Sequence, residues 1–319
     1  MTLTETTLSP LQAVEALMHR LCGLGPLSPM AREHLRSGGR RTRAKLALGA
    51  AEALEVQNAV PWAAACELLH NATLVHDDLQ DGDRVRRGHP TVWAQHGMAQ
   101  AINTGDLLLM LPFMAVAQQP ATPEQSAALS EVLARRAVLC VQGQALDLDL
   151  PEQRVWRMED WIQAAIGKSG QLLALPVEGA AILAGRADAA ALGEHFAEAG
   201  ALYQLVDDLV DLYGEKGRDE RGCDLREGKV SALVIRHLEL APADRDWLRA
   251  VLAAPRDETR AEDIERASQR FKQSGAVDSL MEDIAQRRDA LDDPTLPEGL
   301  RRIAQALALR CTRDLETLR

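Results

Sequence analysis

The chain has 319 residues, 46% hydrophobic and 26% charged, enough apolar material for a sizeable core and too much for a disordered chain. Aromatics make up only 3%, with 3 Phe and 2 Tyr, and helix formers outnumber the β-branched and aromatic residues that build sheets, which argues against a β-sandwich or barrel. The 36 basic and 47 acidic residues leave a formal charge of −11, the wrong sign for an electrostatic nucleic-acid binder, so no nucleic-acid partner is expected.

Cys22, Cys66, Cys140, Cys223 and Cys311 are widely spread, odd in number and without a CxxC pair, which suits reduced thiols better than a disulfide framework or a zinc site. The N-terminus lacks the basic-then-apolar layout of a signal peptide. The longest apolar run, Leu107 to Ala117, is interrupted by Pro112 and is about half of a membrane span. A soluble cytoplasmic protein with no transmembrane segment is the expectation.

Amphipathic helical periodicity continues almost without a break. It predicts helices near 10–22, 28–56, 61–81, 91–118, 124–149, 152–184, 187–214, 225–240, 243–254, 258–274, 276–290 and 297–318. Thr122-Pro123-Glu124-Gln125 reads as an N-cap, a proline at the first helical position and a capping-box glutamine. Asp292-Asp293-Pro294 reads as a loop, since proline disfavours helix at the residue before it. No linker or solenoid repeat divides the chain. The expected fold class is all-α, one large helical bundle spanning 1–319 as a single domain; a bundle core with a C-terminal subdomain after about residue 240 is the alternative.

The strongest chemical signal is His70-Asn71-Ala72-Thr73-Leu74-Val75-His76-Asp77-Asp78-Leu79-Gln80-Asp81. Asp77 and Asp81 fall one turn apart on one helix face, with His70 two turns earlier. The preceding Ala63-Ala64-Ala65-Cys66-Glu67-Leu68-Leu69 reads mostly as core, so these carboxylates end a buried helix rather than decorate a wet surface. Like charges at this spacing repel unless a cation bridges them, and oxygen-only ligands suit Mg²⁺. A second cluster, Asp207-Asp208-Leu209-Val210-Asp211, repeats the DDxxD spacing after another apolar segment. Two such clusters read as divalent ions held between opposed helices.

Bound Mg²⁺ keeps positions open for phosphate oxygens, and cations accompany both clusters despite the acidic total. Arg84, Arg86 and Arg87 follow the first. Gly38-Gly39-Arg40-Arg41-Thr42-Arg43 sets guanidinium groups after flexible glycines, a nest for another anion. Lys168-Ser169 and the stretch from Lys216 to Lys229 add more.

With these motifs in order, residues 35–235 strongly resemble the trans-isoprenyl diphosphate synthases, the polyprenyl synthetase family that includes farnesyl and geranylgeranyl diphosphate synthases. The resemblance implies an all-α bundle around a deep pocket and a homodimer. It also implies three Mg²⁺ ions and two substrates: isopentenyl diphosphate and an allylic diphosphate (dimethylallyl, geranyl or farnesyl). Carried over by position, Asp77, Asp78 and Asp81 form the first aspartate motif, with Asp77 and Asp81 on two ions. Asp207, Asp208 and Asp211 form the second, with Asp207 on the third ion. Arg86 and Lys168 match the grips on the allylic diphosphate, and Arg40, Arg43, His70 and Arg87 the isopentenyl diphosphate site. Gln144 and Asp147 match a supporting motif, Ser169 and Gln204 the polar groups near the developing carbocation, and Lys229 the closing loop.

Three departures stand out. The usual GGKR reads GGRR, Ser169 replaces a threonine, and the segment between Asp211 and Asp224 is shorter, with Lys216 or Arg218 left to supply its customary lysine charge. The implied chemistry is ionisation of the allylic C–O bond, attack by the isopentenyl double bond and loss of a proton, with the released diphosphate as base. On that scheme His76 orients a neighbour and transfers no proton. Product length depends on the residues below the metals. In the family, a bulky aromatic four or five residues before the first aspartate stops growth at farnesyl. Thr73 and Ala72 are small, Leu69 is the next candidate floor, and geranylgeranyl diphosphate is favoured over a longer polyprenyl chain or farnesyl.

Three other readings explain less. A class I terpene cyclase shares one DDxxD, but not a second one or the Arg40/Arg43 pair. An HD-type metal phosphohydrolase would use His70 and His76-Asp77 and leave the second cluster unused. A non-catalytic partner subunit would carry degraded aspartate motifs.

Overall fold

The computed structural model describes residues 8–214 and 221–318. It is all-α, with one pair of two-residue strands among the described residues. Helix α1 (Pro10–Leu21) opens on a reciprocal capping box between Ser9 and Gln12. The single helix predicted over 28–56 is two, α2 (Ser28–Arg36) and α3 (Thr42–Ala53). Gly38 and Gly39 part them at φ of 87° and 128°, values a side chain opposes. Helix α4 (Val60–Gln80) matches its predicted span closely. After it comes a hairpin that periodicity misses because its strands are so short: β1 (Val85–Arg86) and β2 (His89–Pro90). Arg87 and Gly88, at φ of 54° and 78°, form the left-handed pair such a two-residue connection needs.

Helices α5 (Val92–His96) and α6 (Met98–Val116) replace the segment predicted over 91–118, broken at Gly97. Helix α7 (Pro123–Asp149) starts at the predicted capping box, where Gln125 N–H donates to Thr122 Oγ1 at 3.2 Å and Thr122 N–H to Gln125 Oε1 at 3.0 Å. The helix predicted over 152–184 resolves into α8 (Met158–Ala165), a π-helical turn (Ile166–Gly170) and α9 (Gln171–Leu183). Then follow α10 (Ala189–Ala197), α11 (Ala199–Tyr213), α12 (Cys223–Arg226), α13 (Ala232–Leu240), α14 (Arg245–Ala253), α15 (Ala261–Gln273), α16 (Ala276–Ala290) and α17 (Glu298–Thr312). The predicted Asp292-Asp293-Pro294 loop lies between the last two.

The described residues fall into two compact units: those up to Ala137 with Leu172–Gly193, and Val138–Gln171 with those from Glu194 onward. In the first unit α4 is the axis, buried at every residue from Pro61 to Leu69 and packed by α1, α3 and α6. Trp62 lies so close to Gly179 of α9 that a Cβ there would meet its ring at 2.0 Å. Its indole N–H donates to the Pro176 carbonyl at 3.1 Å, and trimming so buried a ring to alanine would cost about 3–5 kcal/mol. Arg136, fully buried, is neutralised by Glu178, which its Nε reaches at 2.8 Å. Helix α6 is long and apolar enough to cross a membrane by length and composition, with mean hydropathy 1.3; a core helix passes the same test, and α6 runs along α4.

In the second unit α11 is the axis, packed by α8, α13, α16, α17 and the π-helical turn. Glycines make the turn's contacts possible. A Cβ on Gly200 of α11 would sit 2.3 Å from Gly170 N, and one on Gly143 of α7 2.3 Å from Lys168 N. Isolated π turns inside helices frequently mark functional sites.

Candidate active site

The first aspartate cluster occupies the last turn of α4. Asp77 is half-buried and Asp81, the C-cap, is half-buried too; Asp81 N–H donates to the Asp77 carbonyl at 2.8 Å. Asp78 behaves differently. It is 1% exposed, and its Oδ1 accepts from Nε of Arg86 on β1. Burial pushes the Asp78 carboxyl up to about 6, against the pull of Arg86. The hairpin therefore does for Arg86 what periodicity could not reveal: it folds the guanidinium back onto the end of α4.

Around that helix end the first unit gathers positive charge. Burial and then Arg43, Arg87, Arg86 and His34 hold the His70 imidazole well below its ordinary range. Arg87 is lowered by burial and by Arg86, Arg41 and Arg43, with Glu67 opposing. His34 is 6% exposed and pushed down to about 4 by burial and by Arg86, Arg87 and Arg41. Guanidinium groups this close together repel each other, and a polyanion seated among them would remove that repulsion. The Arg87 guanidinium also donates to the Gly38 carbonyl and fills the space a Cβ on Gly39 would need. Arg40 is exposed and Arg43 half-buried.

The positions expected to set product length lie on the same helix. Ala72 and Leu69 are buried, while Thr73 is half-buried and donates its hydroxyl to the His70 carbonyl at 2.9 Å. His76 lies against Gly105 of α6, with Nε2 3.5 Å from Asp106 Oδ1.

In the second unit Asp207 is half-buried, and its two companions reach backbone donors. Asp208 Oδ2 accepts from Ala232 N–H at 2.6 Å, at the start of α13. Asp211 Oδ2 accepts from Asp224 N–H at 3.1 Å. The π turn presents Lys168 and Ser169: Lys168 Nζ pairs with Asp147 Oδ2 at 3.0 Å, and Gln204 Nε2 donates to Ser169 Oγ at 2.7 Å. Gln144 is half-buried on the same helix as Asp147. Lys229 pairs with Glu227 at 3.0 Å. Lys216 and Arg218 lie outside the described residues.

No group of three His, Cys, Asp or Glu among the described residues could hold a metal ion alone. Mg²⁺ takes one or two carboxylates and completes its octahedron with water and phosphate oxygens. Asp77 and Asp81, oxygen donors on one helix face, fit such an ion. Glu67, Gly105, Gly143, Gly170 and Gly200 shape the backbone here without belonging to the predicted site residues. An isolated glycine inside a helical pattern was the available signal for four of them.

Aspartate-rich helix ends accompanied by clustered guanidinium and ammonium groups on an all-α scaffold define an enzyme that handles diphosphates. A family model described as polyprenyl synthetase matches residues 26–271. The short chain isoprenyl diphosphate synthase of Methanothermobacter thermautotrophicus is 33% identical over 243 residues, 74% of each chain. The geranylgeranyl diphosphate synthase of Mycobacterium tuberculosis is 33% identical over 304 residues, 85% of this chain and 84% of that one. The crystal structure of geranylgeranyl pyrophosphate synthetase from Pyrococcus horikoshii superposes with TM-score 0.81 at 27% identity, covering 96% of this chain and 95% of that one. The chain belongs to the polyprenyl synthetase family, as a trans-isoprenyl diphosphate synthase. It is a short-to-medium-chain trans-prenyltransferase. The family takes isopentenyl and allylic diphosphates and generally uses Mg²⁺.

Proposed function

We propose that this chain joins isopentenyl diphosphate head-to-tail to an allylic diphosphate and releases geranylgeranyl diphosphate. The observation that carries the reading is the cluster of Arg43, Arg86, Arg87 and His70 at the aspartate-rich end of α4. In a chain of net charge −11, such a cluster has one economical use, the binding of a multiply charged anion.

Arg86 and Lys168 bind the allylic diphosphate, and Arg40, Arg43, His70 and Arg87 bind isopentenyl diphosphate. Asp77, Asp81 and Asp207 are the carboxylates for three Mg²⁺ ions, which when bound take up charge on the departing diphosphate. Asp78, Asp208 and Asp211 support that set, one by orienting Arg86 and two by receiving backbone N–H groups. Ser169 Oγ and Gln204, held to each other, give the allylic cation a polar neighbour that is already hydrogen-bonded and so a poor nucleophile. Neutral His70 serves as a hydrogen-bonding partner to substrate, not as a base, because burial keeps the proton off it. The proton lost in the last step passes to the released diphosphate, as the resemblance to the family implies.

Product length follows from α4. Ala72 presents only a methyl group, and Leu69 lies one further turn along. The five cysteines are all buried thiols, which supports a cytoplasmic protein. Ile102, Met110, Phe113 and Met114 are exposed on α6, and they support a homodimer in which that face is covered. Incubation with labelled allylic and isopentenyl diphosphates and Mg²⁺ tests the reading. Elongated C20 product is expected. Cyclic hydrocarbon, or phosphate release without elongation, would overturn it.

A further inference from the structure

We propose that Glu67, outside every aspartate and arginine motif, is a positioning residue for isopentenyl diphosphate: it anchors the Gly38–Arg43 turn and so aims Arg40 and Arg43. The inference rests on the assignment of those two arginines to that substrate.

Helix α3 begins without a cap of its own. Its N-cap residue is Arg41, which makes no capping hydrogen bond with its side chain and stands at φ 48°, a left-handed conformation that an arginine adopts only when held there. Glu67 supplies the missing cap from α4 and adds a buried charge beside Arg41. Its Oε2 accepts from Ala44 N–H at 3.0 Å, satisfying a first-turn donor of α3, and its Oε1 lies 3.9 Å from Arg41 Nη1. The carboxylate is 3% exposed and the Arg41 side chain 6%, so neither is solvated as a free ion. Arg41 is held further by Glu15 Oε1 at 3.2 Å and by the Leu35 carbonyl at 2.5 Å.

Arg40 precedes this pinned residue and Arg43 lies in the first turn of α3 that follows it. Their directions are set by where the turn ends and the helix starts. Arg87 grips the turn's other end at Gly38. Remove the charge of Glu67 and Arg41 keeps Glu15, whose side chain is 43% exposed and correspondingly weaker as a partner. The turn then keeps Glu15 and the Leu35 carbonyl but loses the one buried carboxylate that ties it to α4 between Arg40 and Arg43.

The test is binding of isopentenyl diphosphate by calorimetry and the Michaelis constants of both substrates in Glu67→Gln, Glu67→Ala and Arg43→Ala. Glu67→Gln keeps an oxygen for Ala44 N–H while losing the charge opposite Arg41, which favours an intact fold. It should weaken isopentenyl diphosphate roughly tenfold and leave the Michaelis constant for the allylic substrate unchanged; Glu67→Ala should weaken the former more. A merely structural role would move both constants together, or lower the melting temperature without separating them, and either result overturns the proposal. Loss of binding in Arg43→Ala alone overturns the role of Glu67 and leaves the site assignment standing. Wild-type binding in Arg43→Ala overturns the assignment and, with it, the route from Glu67 to substrate.

Discussion

Asp78 and Arg86 are joined across the end of α4, the buried carboxylate accepting from the guanidinium Nε, although both belong to motifs that sequence alone would assign to ligands. The pair gives the second aspartate of the motif a distinct task. If Asp78 orients Arg86, Asp78→Asn should raise the Michaelis constant for the allylic diphosphate and leave the Mg²⁺ concentration for half-maximal rate unchanged. Arg86 keeps a quarter of its side chain in water, and burial already disfavours the Asp78 charge, so the melting temperature should change little. A raised Mg²⁺ requirement would instead mark Asp78 as an ion ligand.

Asp77→Ala and Asp207→Ala should each cut turnover by several orders of magnitude with the far-ultraviolet spectrum unchanged. Each removes stabilisation that matters most as the diphosphate departs, so the loss falls on kcat as well as on kcat/KM. Near-normal turnover at saturating Mg²⁺ in either variant would remove that aspartate from the metal set.

Ala72→Phe should shift the product from C20 to C15. The new ring enters a position that is 1% exposed, and crowding a packed site costs about 1–3 kcal/mol, so a lower melting temperature is also expected. Ionisation does not depend on this position and should survive. Chromatography of the dephosphorylated products checks it: unchanged products in the variant, or wild-type product stopping at C15, would refute the assignment.

Acid should destabilise the protein through its buried histidines. His34 is held at about 4 by burial and nearby arginines, whereas in the unfolded chain it takes up its proton near 6.5. Stability from this group is intact above pH 6.5 and is lost as the pH falls towards 4, because only the unfolded chain gains the proton. By pH 5 the loss is about 2 kcal/mol. His70 and His237 are lowered too and act in the same sense. Asp78, raised to about 6, acts oppositely, since its folded form takes up a proton first. Urea midpoints at pH 7 and pH 5 should differ less in His34→Gln than in wild type; an equal difference would exclude His34 as a source.

Sequence by itself determined the all-α class, the run of α4 into Asp77 and Asp81, the start of α7 at Thr122, and the identity of nearly every charged residue in the proposed site. Helical periodicity and capping chemistry are local, and a DDxxD spacing needs only one turn of helix to acquire its meaning. Tertiary structure alone decided where that periodicity is interrupted. At Gly38-Gly39 and Gly97 the backbone turns to positive φ, and at the π turn over Ile166–Gly170 the chain widens against Gly143 and Gly200; an averaged hydrophobic pattern reads across such points. It also decided how the acids divide their work. Asp77 and Asp78 are neighbours in sequence, but successive helical residues point about 100° apart, so one stays half-open while the other is buried against Arg86. The task of Glu67 was hidden for the same reason: it depends on Arg41 and Ala44, distant in sequence, meeting α4 at that residue.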